Sequence, residues 1–386
     1  MSRIATIEAF ALEARFADYF GGTQHVPPAF SQPAAHFRAL PRLGQASTLV
    51  RVRDTEGHEG WGESWGLPLP QASALLVEKL LAPVLKGAAT EPVDACAELL
   101  WTCARQYGHD KGFLPEAISG IELALWDLAG RRAGKPVAQM LNPQARERIA
   151  CYASPVPFLD RPEQSAAAAR AFAEQGHRGV KLKVGRGVET DRTHAAAVRA
   201  ALGPQAELML DANGAYGVES ALQLARAVEP LRIAWLEEPV APDDLDALVR
   251  VKRNSPVPLA AGEHEFCPAG LRALVERGAV DVLTPNVSRC GGIGAVRSAA
   301  ACAREHGVRL ALHGVGAGIT LAASLHVLAA LPVEGLFEAN RFLNPLRESL
   351  TQPVLSARDG AFDLPAGPGW GVTPHPEALR RFAVSA

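Results

Sequence analysis

The chain reads as an α/β protein, a closed β/α barrel of the TIM type preceded by a smaller α+β unit. From about residue 149, short apolar runs alternate strictly with alanine-rich helical patterns. Eight strands joined by seven helical crossovers favour a closed barrel over an open sheet. Three of the runs also end in an acid: Glu207-Leu-Met-Leu-Asp211, Ile233-Ala-Trp-Leu-Glu237 and Val257-Pro-Leu-Ala-Ala-Gly-Glu263. Their 26-residue interval is one strand plus one helix. Ahead of the barrel, strands are followed by helices, the pattern of an α+β unit.

The first unit, residues 1–140, opens with a β-rich run at 4–15. A pair of strands at 47–53 and 60–63 flanks the turn Thr55-Glu56-Gly57. Residues 18–33, rich in Gly, Pro and aromatics, form a loop long enough to be functional or disordered. Helical patterns follow at 71–85, 93–105 and 115–133, the last stopped by Gly134 before Pro136. The barrel, residues 141–345, has strands at 149–154, 179–184, 207–212, 233–238, 257–262, 280–285, 309–313 and 335–339. Helices such as 164–175, 190–201, 219–229 and 295–305 lie between them. Residues 346–386 carry turn signals at Asp359-Gly360 and 365–370 and are expected to pack back on the first domain.

Composition excludes several function classes. The 386 residues are 48% apolar and 21% charged with a formal charge of −2, so there is no basic field for nucleic acid. Six cysteines lack any zinc-ligand spacing and, with no signal peptide, read as reduced thiols of a cytoplasmic protein. The apolar stretch 310–333 is interrupted by Gly314, Gly316 and Gly318, which argues for a buried strand and helix over a membrane span. No Gly-x-Gly-x-x-Gly follows a strand, so a dinucleotide site has no support.

The chemistry gathers at strand ends. In a β/α barrel these converge on one pocket. Asp211, Glu237 and Glu263 would repel one another there unless a cation lay between them, and hard oxygen ligands favour Mg²⁺. Strand two carries Lys181-Leu-Lys183, and residues two apart share a face. Two ammonium groups held together and partly buried should depress each other's pKa, making a lysine a usable base. Strand six ends in Asn286, strand seven in His313 and strand eight in Glu338. Any one of these has a bland reading, as a solvated edge, a core histidine or a turn former. Seven consecutive strands with such groups at one height favour function.

These residues resemble the enolase superfamily, mandelate racemase subgroup. The resemblance runs through Lys181-Leu-Lys183, Leu210-Asp211-Ala-Asn213-Gly214, Trp235-Leu-Glu237-Glu238-Pro239, Gly262-Glu263 and Asn286-Val-Ser-Arg-Cys-Gly291-Gly292-Ile293. It continues in His313-Gly314, Asn344-Pro345-Leu346-Arg347 and the pre-barrel run from Ala117 to Trp126-Asp127-Leu. It implies a (β/α)₇β barrel under an N-terminal capping domain, with Asp211, Glu237 and Glu263 binding Mg²⁺. It also implies Lys183 as base, tuned by Lys181, His313 as acid or base on the other face, and Glu338 at the substrate carboxylate. Such enzymes remove the proton α to a carboxylate through an enediolate held by a Lys or His base and Mg²⁺. The implied substrate is a sugar acid losing water to give a 2-keto-3-deoxy acid, and the implied assembly a homo-oligomer. Asn213, His264, Trp65 and the loop near Tyr19 and His25 are the substrate-binding candidates. His264 binds a substrate hydroxyl or makes a supporting hydrogen bond.

One position departs from the pattern. Strand six in this subgroup ends in an aspartate that bonds the strand-seven histidine, and here it is Asn286. Asparagine could accept from the imidazole N–H, but it cannot stabilise imidazolium, so the pKa of His313 should be lower. That weakens a racemase or epimerase, which needs a competent group on both faces, more than it weakens a dehydratase. A ligand-binding protein that has lost turnover is the third reading.

Overall fold

A computed structural model describes residues 2–34, 37, 39–157 and 159–384. Three antiparallel strands, β1 (Ile4–Arg15), β2 (Gly44–Asp54) and β3 (Glu59–Ser64), form the first sheet in the order β1-β2-β3. The helices Val93–Gln106 and Phe113–Ala133 belong to the same unit, and the second packs across β2 and β3. Its C-terminal residue Gly134 adopts φ 63°, the left-handed conformation that ends a helix with no Cβ penalty. Residues 18–33 are not an open loop. Short helices at Phe16–Phe20 and Pro28–Ser31 are held by an aromatic cluster of Phe16, Phe20, Phe30 and Phe342. Gly21-Gly22 and Pro27 cut the segment into pieces too short to show a helical period.

The barrel strands are β4 (Arg148–Val156), β5 (Gly179–Lys183), β6 (Glu207–Asp211), β7 (Trp235–Glu237), β8 (Leu259–Ala261), β9 (Val282–Leu283), β10 (Arg309–Leu312) and β11 (Gly335–Asn340). Each pairs in parallel with the next, and β11 closes on β4 through Phe337↔Cys151 to Asn340↔Ser154. Inward-facing Tyr152, Met209, Trp235, Ala260, Val282 and Ala311 fill the interior with alternating large and small side chains. The mouth above this plug is left to polar groups.

The tail does two things. The strand Ala361–Asp363 adds antiparallel to β4, outside the barrel. Beyond it, Trp370 donates its N–H to Asp127 and its indole N–H to the Trp61 carbonyl, both at 2.8 Å, and the helix Pro376–Phe382 lies against β1.

Candidate active site

Parallel register sets Lys183 beside Asp211 and Asp211 beside Glu237, so three polar strand ends share one height. Lys181 and Lys183 point to the same face, as a two-residue strand period requires. Lys181 is wholly buried, its Nζ 2.9 Å from Glu237 Oε2, 3.0 Å from Glu338 Oε1 and 3.5 Å from Asp211 Oδ2. Lys183, nearer the cavity, donates to Asp211 Oδ2 at 2.5 Å and Asn213 Oδ1 at 2.6 Å. The expected mutual depression of the lysine pKa values does not hold here. Burial lowers both, but Glu237 and Glu338 around Lys181, and Asp211 and Glu263 around Lys183, more than reverse it. Both ammonium groups are held above the ordinary lysine value.

Asp211, Glu237 and Glu263 are all buried at neighbouring strand ends, yet their ligand oxygens do not all lie within 4.8 Å of one another. Lys183 and Lys181 instead hold the Asp211 and Glu237 carboxylates in ion pairs. The donor set nevertheless fits a hard divalent cation. Glu237 Oε1 is buried with no hydrogen-bond partner, and burial, against Lys181, pushes the Glu237 carboxyl up to about 8. A buried, unsatisfied carboxylate oxygen costs free energy that a cation would offset. Glu238, Glu263 and His264 do offer ligand atoms within 4.8 Å, but Glu238 already holds the His264 ring, Nδ1 to Oε2 at 2.8 Å. That contact more than reverses the effect of burial and raises the His264 pKa.

Asn286 orients His313, but not by accepting. The amide oxygen takes Ser288 N–H at 2.9 Å and Ser288 Oγ at 2.7 Å. The amide nitrogen faces the Val315 carbonyl at 2.8 Å and His313 Nδ1 at 3.0 Å. This network leaves Asn286 only a donor toward the ring, so Nδ1 accepts and the neutral imidazole carries its proton on Nε2. Nε2 lies 3.3 Å from Glu263 Oε2 and 3.7 Å from Glu338 Oε2. Burial lowers the His313 pKa despite these two acids, the direction expected for an asparagine partner.

These groups open on a cavity of about 510 Å³ between barrel and first domain. Lys183, Asn213, Glu263, His264, His313 and Glu338 line its barrel side. Trp65 lies over His313 with ring centroids 5.6 Å apart, and its backbone N–H donates to the Ser288 carbonyl. The Arg289 guanidinium is stacked 4.5 Å from both Trp65 and Phe266 and lies 3.3 Å from Glu116. Tyr19 and His25 do not line the cavity. Tyr19 turns its hydroxyl to Arg381, and His25 is exposed on a 3₁₀ turn. Their place in the wall is taken by Pro33, Ala34, Phe37 and residues 40–46, including Arg42 and Gln45. Arg289 could have been noticed as the one charge in the run Asn286–Ile293; Arg42 left no local signal. Another cavity, about 580 Å³, lies on the flank beside Trp101, Arg297 and Arg304 and holds none of the rim groups.

Comparison with known proteins identifies the family. Residues 32–142 match the family model of the mandelate racemase / muconate lactonizing enzyme N-terminal domain, and residues 164–378 the enolase C-terminal domain-like model. The chain is 34% identical to D-galactarolactone cycloisomerase of Agrobacterium fabrum, over 88% of this chain and 92% of that one. It is 31% identical to L-talarate/galactarate dehydratase of Salmonella typhimurium, over 89% and 84% of the two chains. A racemase from Streptomyces coelicolor, solved with bound magnesium, superposes with a TM-score of 0.87 at 28% identity, covering 99% of this chain and 100% of that chain. The chain therefore belongs to the enolase superfamily, mandelate racemase subgroup.

Proposed function

We propose that this protein is a Mg²⁺-dependent sugar-acid dehydratase, removing the proton α to the substrate carboxylate and expelling the 3-hydroxyl to give a 2-keto-3-deoxy acid. The observation that carries the reading is the asymmetry of the barrel mouth. One side offers Lys183, bonded to Asp211 and able to act as a base once an ion takes that carboxylate, and the other a histidine whose Nε2 already bears a proton. Asp211, Glu237 and Glu263 would hold the ion, which when bound supplies a fixed positive charge where negative charge grows on the substrate carboxylate.

With Asp211 and Glu263 so engaged, what remains on Lys183 is burial and the charge of Lys181, and both favour the neutral amine. Lys183 then takes the α-proton, the C–H electron pair passes onto the carboxylate as an enediolate, and its return forms the C2–C3 double bond as the C3–O bond breaks. The charged Lys183 returns a proton to the departing hydroxyl, which leaves as water, while His313 donates a hydrogen bond through Nε2. The enol product then rearranges to the 2-keto acid. If the departing oxygen belongs to a ring, the same steps open the ring without releasing water. The likeness to D-galactarolactone cycloisomerase supports that second reading. Racemisation needs a competent acid on the face opposite the base, and His313, whose pKa is lowered by burial, is held neutral there and is a poor one.

The test is a panel of sugar mono- and diacids and their lactones with Mg²⁺, followed for 2-keto acids and for solvent deuterium at Cα. Formation of a 2-keto acid supports elimination, and an epimer without keto acid would replace it with racemisation. No exchange with any member sinks the enzyme reading.

A further inference from the structure

The first-domain wall of the cavity presents a guanidinium with no acidic partner among the described residues. Among the described residues Arg42 bonds neutral acceptors, with Nε to the Gly44 carbonyl and Nη2 to Gln45 Oε1. Gln45 is itself anchored, its Nε2 donating to the Leu343 carbonyl at 2.8 Å, so Arg42 is aimed by a braced amide. No carboxylate among the described residues lies within 4.0 Å of it. Glu13 lines the same wall but pairs with Arg15 at 3.2 Å. Burial acts against the charge of Arg42, and so does the neighbouring cation Arg347. Around it the described wall is apolar, with Pro33, Phe37, Leu43 and Phe342. A half-buried cation in such a wall gains from a counter-charge, and a guanidinium edge is shaped to meet a carboxylate with two hydrogen bonds.

The edge carrying Nη1 is the one that Gly44 and Gln45 leave open. We propose that Arg42 receives a second carboxylate at the far end of the substrate, so that the enzyme acts on diacids, open or lactonised, in preference to monoacids. This deepens the dehydratase reading and rests on it for the near end, where the reacting carboxylate would meet the ion held by Asp211, Glu237 and Glu263.

The experiment compares matched six-carbon aldaric and aldonic acids, with Mg²⁺, on the wild-type protein and on Arg42→Ala and Arg42→Gln. Turnover and calorimetric binding are both measured, and melting curves report folding. A charge-assisted pair at this site predicts a diacid preference that collapses by about 10- to 100-fold in both variants, mainly through KM. Equal handling of both acid classes by the wild type, or an unchanged preference in the variants, overturns the proposal. Diacid binding that depends on Arg42 without any turnover or exchange upholds the subsite and sinks the dehydratase reading instead.

Discussion

At the scale of single residues, the amide of Asn286 decides which face of the site can do what. Its oxygen is occupied by Ser288 and its nitrogen by Val315 and His313 Nδ1, so the ring proton sits on Nε2. Asn286→Asp keeps an acceptor for Ser288 but replaces the donor facing Nδ1 with a second acceptor. Nδ1 should then carry the proton, Nε2 should become a base, and the His313 pKa should rise. Loss of the bond to Val315 should cost about 1–3 kcal/mol of stability. The readout is epimer formation together with the ¹⁵N shifts of the ring; an unchanged tautomer in the variant refutes the account. Lys183→Ala addresses the opposite face. It should lower α-proton exchange by about 10²- to 10⁴-fold. Mg²⁺ affinity should not fall, because the ammonium bonded to Asp211 competes with a cation for that oxygen. Exchange that survives this change would move the base elsewhere, with His313 next in line.

At the scale of elements, β3 of the first domain fixes the loop that follows β10. Glu63 is fully buried and accepts from Ala317 N–H and Thr320 N–H, at 2.6 and 2.8 Å, capping the barrel helix Gly318–Ala330. Glu338 takes Gly314 N–H in the same loop, and Trp65, two residues past Glu63, stacks on His313. Glu63→Gln turns an amide N–H toward a backbone N–H and should cost about 1–3 kcal/mol while lowering kcat more than it changes KM. A lower melting temperature with kcat intact would show that the loop is set without it. Gly62 explains how β3 comes so near the helix Phe113–Ala133. A Cβ at 62 would run into the Gly120 carbonyl and the Ala124 amide, which are backbone and cannot step aside. Gly62→Ala should therefore destabilise by at least about 1–3 kcal/mol in a denaturant titration, and a loss below 1 would contradict the packing. Barrel strands and their terminal acids were legible in the sequence because period and spacing are local properties. The direction of the Asn286 amide was not, since it depends on Ser288 and on the Val315 carbonyl 29 residues away. Nor was the lysine charge state: Lys181 and Lys183 are visible as neighbours in the chain, but the carboxylates that outweigh their repulsion arrive from four other strands' ends.

At the scale of the whole molecule, the cavity exists only if first domain, barrel and tail stay docked, and one buried imidazole touches all three. His326, on the barrel helix Gly318–Ala330, accepts from Ala138 N–H through Nδ1 and donates from Nε2 to the Trp370 carbonyl, both at 3.1 Å. Trp370 in turn holds Asp127 and Trp61 of the first domain. The ring must be neutral to make both bonds, and burial drives its pKa down to about 4. The unfolded chain binds this proton near the ordinary value of 6.5 and the folded chain does not. The stabilisation is therefore complete above pH 6.5 and is lost as pH falls from 6.5 toward 4, by about 3 kcal/mol in all. His326→Gln can keep both hydrogen bonds, with an oxygen for Ala138 and an amide N–H for Trp370, but cannot titrate. Buried acids such as Glu122, raised to about 7 by burial, add a slope of opposite sign, but it is common to both proteins and cancels in their difference. Paired denaturant titrations at pH 7 and pH 4 should thus show the wild type losing about 3 kcal/mol relative to the variant. A difference that stays constant between the two pH values would mean that the docking of the three segments does not depend on a neutral His326.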